Sequence, residues 1–127
     1  MSSSDVQVGG ATPAETVDEP GQLAAVFTAL GDSTCRSVLR TLRDSAEPLT
    51  VQELSELAGV ALTSTYRKLD RLTRAGLVEE RDGLDPDGHR RSRYRPAVDR
   101  IDVKLGSADC PEVTLYSTVN ELGIGDL

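Results

Sequence analysis

A chain of 127 residues with no tryptophan and one phenylalanine is long enough for one small domain, whose core must be built from Leu, Val and Ala. Its formal net charge of −7 excludes a chain that is basic throughout. Two isolated cysteines, Cys35 and Cys110, with no CxxC and no histidine beside them, point to neither a disulfide framework nor a zinc site.

Residues 1–21 are rich in Ser, Gly, Thr, Pro and acids and have no periodicity, which predicts a disordered N-terminal arm. Met1 to Gly10 has no basic or apolar leader pattern, and no apolar run reaches membrane-span length, so a cytoplasmic protein is expected. Leu23, Val26, Phe27 and Leu30 fall at i, i+3, i+4 and i+7, one apolar face of a first helix from Gln22 that Gly31 can end. Asp32 or Ser33 caps a second helix with the stripe Cys35, Val38, Leu39 and Leu42. Thr50-Val51-Gln52-Glu53 fits a capping box. The third helix that follows buries Val51, Leu54 and Leu57 or Ala58, and Gly59 supplies its left-handed stop.

A fourth helix starts near Thr63, turns Leu62, Thr65, Leu69 and Leu72 inward, and ends at Gly76. Leu77 to Arg81 reads as a strand, Asp82 to Gly88 as a turn-rich, solvated loop, and Arg90 to Pro96 as the return strand. On that strand Arg91, Arg93 and Arg95 alternate with Ser92 and Tyr94. Beyond Asp99, Ile101, Val103 and Leu105 suggest one strand and Val113 and Leu115 a second, with a hairpin across Gly106 to Glu112. Tyr116 to Leu122 is read as a short helix or a tail. The predicted fold class is mostly α with a small β-hairpin wing (α+β), a winged helix-turn-helix, with an extra C-terminal β-hairpin. Its divisions are 1–21 as arm, 22–97 as the DNA-binding domain, and 98–127 as an extension that can serve dimerisation.

Charge is unevenly divided. Residues 60–95 hold nine basic and six acidic groups, whereas the rest holds five basic and fifteen acidic. A basic patch on an acidic body is the electrostatic footprint of a nucleic-acid binder. Lysine occurs twice against twelve arginines, and aspartate supplies twelve of the twenty-one acids. This composition resembles that of a halophilic archaeal cytosolic protein, an ordinary acidic bacterial protein being the alternative. At ~1 M salt the Debye length is about 3 Å, so binding there rests on close, geometrically matched contacts.

The third and fourth helices around a tight turn meet the needs of a helix-turn-helix, whose second helix enters the DNA major groove. Thr63 and Ser64 at the start of the fourth helix can approach phosphates and base edges, where the helix dipole favours anions. Arg67 can form the bidentate contact to guanine, and Tyr66 can meet a phosphate, a sugar or a thymine methyl. Arg71 and Arg74 are placed for backbone phosphates, and Arg90, Arg91 and Arg93 line the hairpin.

The segments ALGDSTCRSVLRTL, LTVQELSELAGVALTSTYRKLDRLTRAGLVEERDG and GHRRSRYRP resemble the successive helices and wing of ArsR-type winged helix-turn-helix transcriptional regulators, particularly archaeal ones. The resemblance covers about residues 22–97. It implies sequence-specific binding of double-stranded DNA as a homodimer, with Leu62, Thr63, Tyr66 and Arg67 facing the bases and Arg91 and Arg93 on the wing. Two departures stand out. Metal-sensing members carry paired cysteines on the first helix of the motif, where Val51 to Leu57 holds neither Cys nor His. Many members dimerise through a C-terminal helix, where this chain has the strand-like RIDVKL.

The alternative function is a winged-helix protein-interaction module that does not bind DNA. Cys35 is read as a core residue, Cys110 as an exposed thiol, and Tyr94 as packing at the wing root. No phosphate-cradling loop, nucleophile with a base, or paired carboxylates point to an enzyme, and no cofactor or metal is implied; an effector is unknown.

Overall fold

A computed structural model describes residues 14–106, 108 and 110–117. They fall into two compact units, Glu19–Ala97 and a second formed by the described residues on either side of it, 14–18 and 98–117.

The first unit begins with α1 (Pro20–Leu30), whose Pro20 occupies the first turn, where its missing N–H costs nothing. Val26 and Ala29 are buried, but Phe27, expected on the apolar face, is 41% exposed. The stripe that packs is thus narrower than the i, i+4 spacing suggests. Asp32 then caps α2 (Ser33–Asp44), accepting the amides of Thr34 and Cys35, and Cys35, Val38 and Leu42 form its buried stripe. The capping box predicted at Thr50 is complete. Glu53 N–H donates to Thr50 Oγ1 at 3.2 Å and Thr50 N–H donates to Glu53 Oε1 at 2.9 Å.

Helix α3 (Val51–Ala58) buries Leu54, leaves Leu57 66% exposed, and ends at Gly59 with φ 69°. A non-glycine residue would be strained at that φ. The turn to α4 (Leu62–Arg74) is held by side chains. Ser55 Oγ donates to the Val60 carbonyl, and the buried Thr65 hydroxyl donates to the Ala61 carbonyl at 2.9 Å. Thr65, Leu69 and Leu72 face inward as expected, whereas Leu62 is 40% exposed, because it opens the helix one turn before the buried stripe begins.

Helix α4 packs on α1, α2 and α3, and the chain then enters an antiparallel hairpin. Strand β2 (Val78–Leu84) pairs with β3 (Arg90–Pro96) from Val78 opposite Pro96 to Leu84 opposite Arg90. The hairpin is longer than predicted, since Asp82, Gly83 and Leu84 remain in register instead of belonging to the loop. The loop is therefore only Asp85 to His89. It is closed by Asp85 N–H to the His89 carbonyl and Gly88 N–H to the Asp85 carbonyl, each 2.8 Å. Leu49 pairs on the outer edge of β3 through two backbone bonds with Tyr94, 3.0 and 2.8 Å, which ties the hairpin to the start of α3.

The second unit contains a three-stranded antiparallel sheet. The predicted C-terminal hairpin is formed by β4 (Arg100–Lys104) and β5 (Glu112–Tyr116). On the other side of β5 lies β1 (Ala14–Thr16), in the segment expected to be a disordered arm. Its three residues are exposed and carry no apolar alternation, so only pairing with a strand almost a hundred residues away defines it. Residues 1–13 of the arm and 118–122 of the proposed tail lie outside the described residues. No helix among the described residues is long and apolar enough to cross a membrane.

Candidate nucleic-acid interface

The first turn of α4 has no side-chain cap, since its N-cap residue is Ala61. Amides at the start of a helix lack intrahelical partners, and together with the helix dipole they favour an anion. Thr63 is exposed there and Ser64 is half-buried. One turn on, Tyr66 is 54% exposed and Arg67 is exposed on the same outer surface. A depression of about 430 Å³ brings this helix together with the other two elements. It is lined by Gln52 from α3, Tyr66 from α4, and Arg91 and Ser92 from β3. The helix pair and the hairpin thus share one surface.

The candidate arginines differ sharply in availability. Arg67 forms no ion pair with a described residue; the other five each do. Arg71 Nη1 lies 2.9 Å from Asp32 Oδ2, and Arg74 Nε lies 3.2 Å from Asp70 Oδ2 one turn back. Arg90 reaches Asp82 at 4.0 Å. Arg91 Nε and Arg93 Nη2 both close on Asp85, at 2.6 Å from Oδ2 and 2.8 Å from Oδ1.

The sequence puts Asp85 in a solvated loop, but its side chain is only 12% exposed. The cause is the short five-residue loop, which folds Asp85 back over two arginines on one face of β3. On that face Arg93 stands opposite Arg81, and Gly83 stands opposite Arg91. A Cβ at Gly83 would lie 3.3 Å from the Arg93 guanidinium, so glycine leaves the room in which Arg93 folds over the strand. The other wing carboxylates are solvated. Asp87 is held below the usual carboxylate range by the His89 amide and by the His89 side chain.

Asp32 was expected only as a helix cap. Its two oxygens divide the work: Oδ1 accepts Thr34 and Cys35 amides at 2.8 and 3.3 Å, and Oδ2 accepts Lys68 Nζ at 2.7 Å and Arg71. The Lys68 hydrogen bond and the two amides lower its pKa to about 2 against the opposing effect of desolvation. One carboxylate therefore anchors α4 to the start of α2. No sequence signal marks it, because Lys68 lies 36 residues away.

Three other side chains stand where the sequence puts them. Tyr94 is half-buried at the base of the hairpin, and burial and the nearby Glu80 raise its pKa. Cys35 is buried, with its thiol pKa pushed up by desolvation, and Cys110 is exposed.

Residues 30–81 match the family model of a helix-turn-helix domain. No curated protein matches the chain. Among solved structures it is similar to a possible transcriptional regulatory protein (fragment 1–100) from Mycobacterium bovis. The two are 29% identical, with a TM-score of 0.50 over 60% of this chain and 74% of that one. A solution structure from the same organism is described as the homodimeric winged helix-turn-helix DNA-binding domain of a possible ArsR-family transcriptional regulator. It is also 29% identical, with a TM-score of 0.49 over 60% of this chain and 64% of that one. A possible transcriptional regulator from Methanosarcina mazei is 11% identical, with a TM-score of 0.45 over 65% and 73% of the two chains. Four helices, a hairpin wing and the match over 30–81 together make this chain an α+β winged helix-turn-helix protein.

Proposed function

We propose that the chain is a cytoplasmic transcriptional regulator that binds double-stranded DNA sequence-specifically as a homodimer. Helix α4 enters the major groove, with Leu62, Thr63, Ser64, Tyr66 and Arg67 towards the bases. Arg71 and Arg74 flank it on the backbone, and Arg90, Arg91 and Arg93 carry the wing onto the flanking backbone or minor groove. The observation that carries this reading is the depression that Tyr66 of α4 shares with Arg91 of β3, beside an uncapped helix start and an exposed Arg67 that forms no ion pair among the described residues. The test is in vitro selection of a DNA site, followed by Arg67→Ala and Tyr66→Ala. Arg67→Ala is expected to cost about 1–3 kcal/mol and to relax preference at one base pair. Unchanged affinity and preference in both variants would remove α4 from the major groove.

A second reading is a protein-interaction module. It is favoured by the exposed apolar side chains Leu57, Leu62 and Tyr66 on the two helices of the motif, beside arginines already occupied by carboxylates. Failure to enrich any sequence at any salt concentration supports it. The acidic, lysine-poor composition supports a protein of a salt-rich, halophilic archaeal cytosol. Its melting temperature is then expected to rise steadily with KCl up to molar concentrations, and a fall across that range would contradict the adaptation.

A further inference from the structure

Among the described residues, strand β4 is an open edge of the second unit's sheet, whose order is β1-β5-β4. Natural sheets blunt such edges with proline, a bulge, short strands or charged side chains. β4 has no proline or bulge and pairs with β5 residue for residue from Arg100 to Lys104, but it is short and carries Arg100, Asp102 and Lys104, so a partner must match those charges. Val103 in the strand is 44% exposed, and Leu105, in the bend just past its end, is 70% exposed.

The sequence of this edge is complementary to itself in one antiparallel register. With Val103 on a two-fold axis, Ile101 stands opposite the partner's Leu105, Asp102 opposite the partner's Lys104, and Val103 opposite the partner's Val103. Cross-strand partners share a face of the sheet. The apolar row Val113–Val103 therefore continues into the partner's Val103 and Val113, and the polar row Glu112–Lys104 continues into the partner's Asp102. Neighbouring registers lose this match. An axis at Asp102 sets two aspartates face to face and Arg100 against the partner's Lys104. A one-residue slip sets Asp102 against the partner's Val103, and a parallel in-register pairing stacks like charges.

We infer that β4 is a self-association edge, where a second copy of this chain adds its own β4 to form a continuous six-stranded sheet centred on Val103. The inference rests on the proposed homodimer and names its interface; it does not depend on DNA binding.

The test uses charge reversal on the full chain, read by sedimentation velocity over a concentration series without DNA. Wild type is expected to dimerise. Asp102→Lys alone and Lys104→Asp alone each put two like-charged pairs across the axis and are expected to weaken association by ~10-fold or more. An equimolar mixture of the two variants restores both opposite-charge pairs and is expected to form the heterodimer. A monomeric wild type, or single variants that dimerise as wild type does, would overturn the inference, as would folded variants whose mixture stays monomeric. If the variants fail to fold, hydrogen exchange on wild type decides. Protection of the 101–105 amides that rises with protein concentration supports the edge pairing, and concentration-independent protection overturns it. Site selection on the same variants reads DNA recognition separately.

Discussion

Releasing the wing arginines from Asp85 tests how this protein's charge reaches DNA. Asp85, Arg91 and Arg93 form a closed group with net charge +1, the carboxylate 2.6 and 2.8 Å from the two guanidinium groups. Asp85→Asn keeps the size and a hydrogen-bond acceptor but raises the group to +2, equivalent to one more neutralised phosphate per wing. Each phosphate neutralised on duplex DNA adds about −0.9 to the slope of log affinity against log salt. Per wing, the variant is thus expected to bind about fourfold tighter at ~0.2 M salt and about equally at ~1 M. The two arginine side chains are 47% and 30% exposed, so water already stabilises them and freeing them carries only a modest folding cost. Fluorescence anisotropy on a selected duplex and a scrambled one, across a salt series, measures both quantities. The gain is expected on both duplexes, since phosphates carry no sequence. An unchanged slope, or a loss of affinity at every salt concentration, would refute the competition. The second outcome would make Asp85 the group that holds the arginines in their binding geometry.

Asp32 yields a prediction about stability and pH. Its carboxyl is depressed from 3.8 to about 2 in the folded chain, so the stabilisation is complete above about pH 4 and is lost as pH falls through 2. The shift sets a ceiling of about 2 kcal/mol, which solvent access to the ion pairs lowers to about 1 kcal/mol. Asn is as good an N-cap as Asp, so Asp32→Asn isolates the Lys68 and Arg71 pairs from the cap. Denaturant unfolding at neutral pH is expected to show a deficit of about 1 kcal/mol that closes near pH 2; a deficit that persists there would assign the cost to capping. Asp32→Ala loses the cap as well, and its deficit is expected to be larger by about 1 kcal/mol.

What could be read from the sequence was set by neighbours along the chain. The Thr50–Glu53 capping box, the left-handed Gly59, the Cys35–Val38–Leu42 stripe and the alternation of β3 each depend on residues within a few positions. What escaped depends on partners far away or on register. β1 exists through Tyr116, Leu115 and Thr114, and Phe27 and Leu62 are exposed because burial depends on what covers a face. The composition of 82–84 marked a turn, yet pairing with Ser92, Arg91 and Arg90 kept those residues in the strand. The candidate site shows the same division. The positions of its arginines along α4 and β3 follow from periodicity, but their partners do not. Asp85 meets Arg91 and Arg93 only once the loop length is known, and Asp32 meets α4 only once the helices pack.

Those pairings change what the basic segment means. Counting charges over 60–95 suggests a surface that attracts DNA at a distance, but the carboxylates are interleaved with the arginines atom by atom, and five of the six candidate arginines already share one. Such a surface has a weak far field and strong local donors. Long-range attraction is lost first as salt rises, because screening acts on separation, whereas a hydrogen-bonded guanidinium exchanging a carboxylate for a phosphate keeps the same contact distance. The exchange is also selective. A phosphate displaces Asp85 or Asp32 only where the DNA shape brings it to the arginine, so incorrectly docked duplex gains little. Internal pairing therefore suits the proposed sequence-specific binder of a salt-rich cytosol. It leaves Arg67, exposed on α4 and in no ion pair among the described residues, as the arginine whose proposed contact with DNA requires no carboxylate to be displaced first.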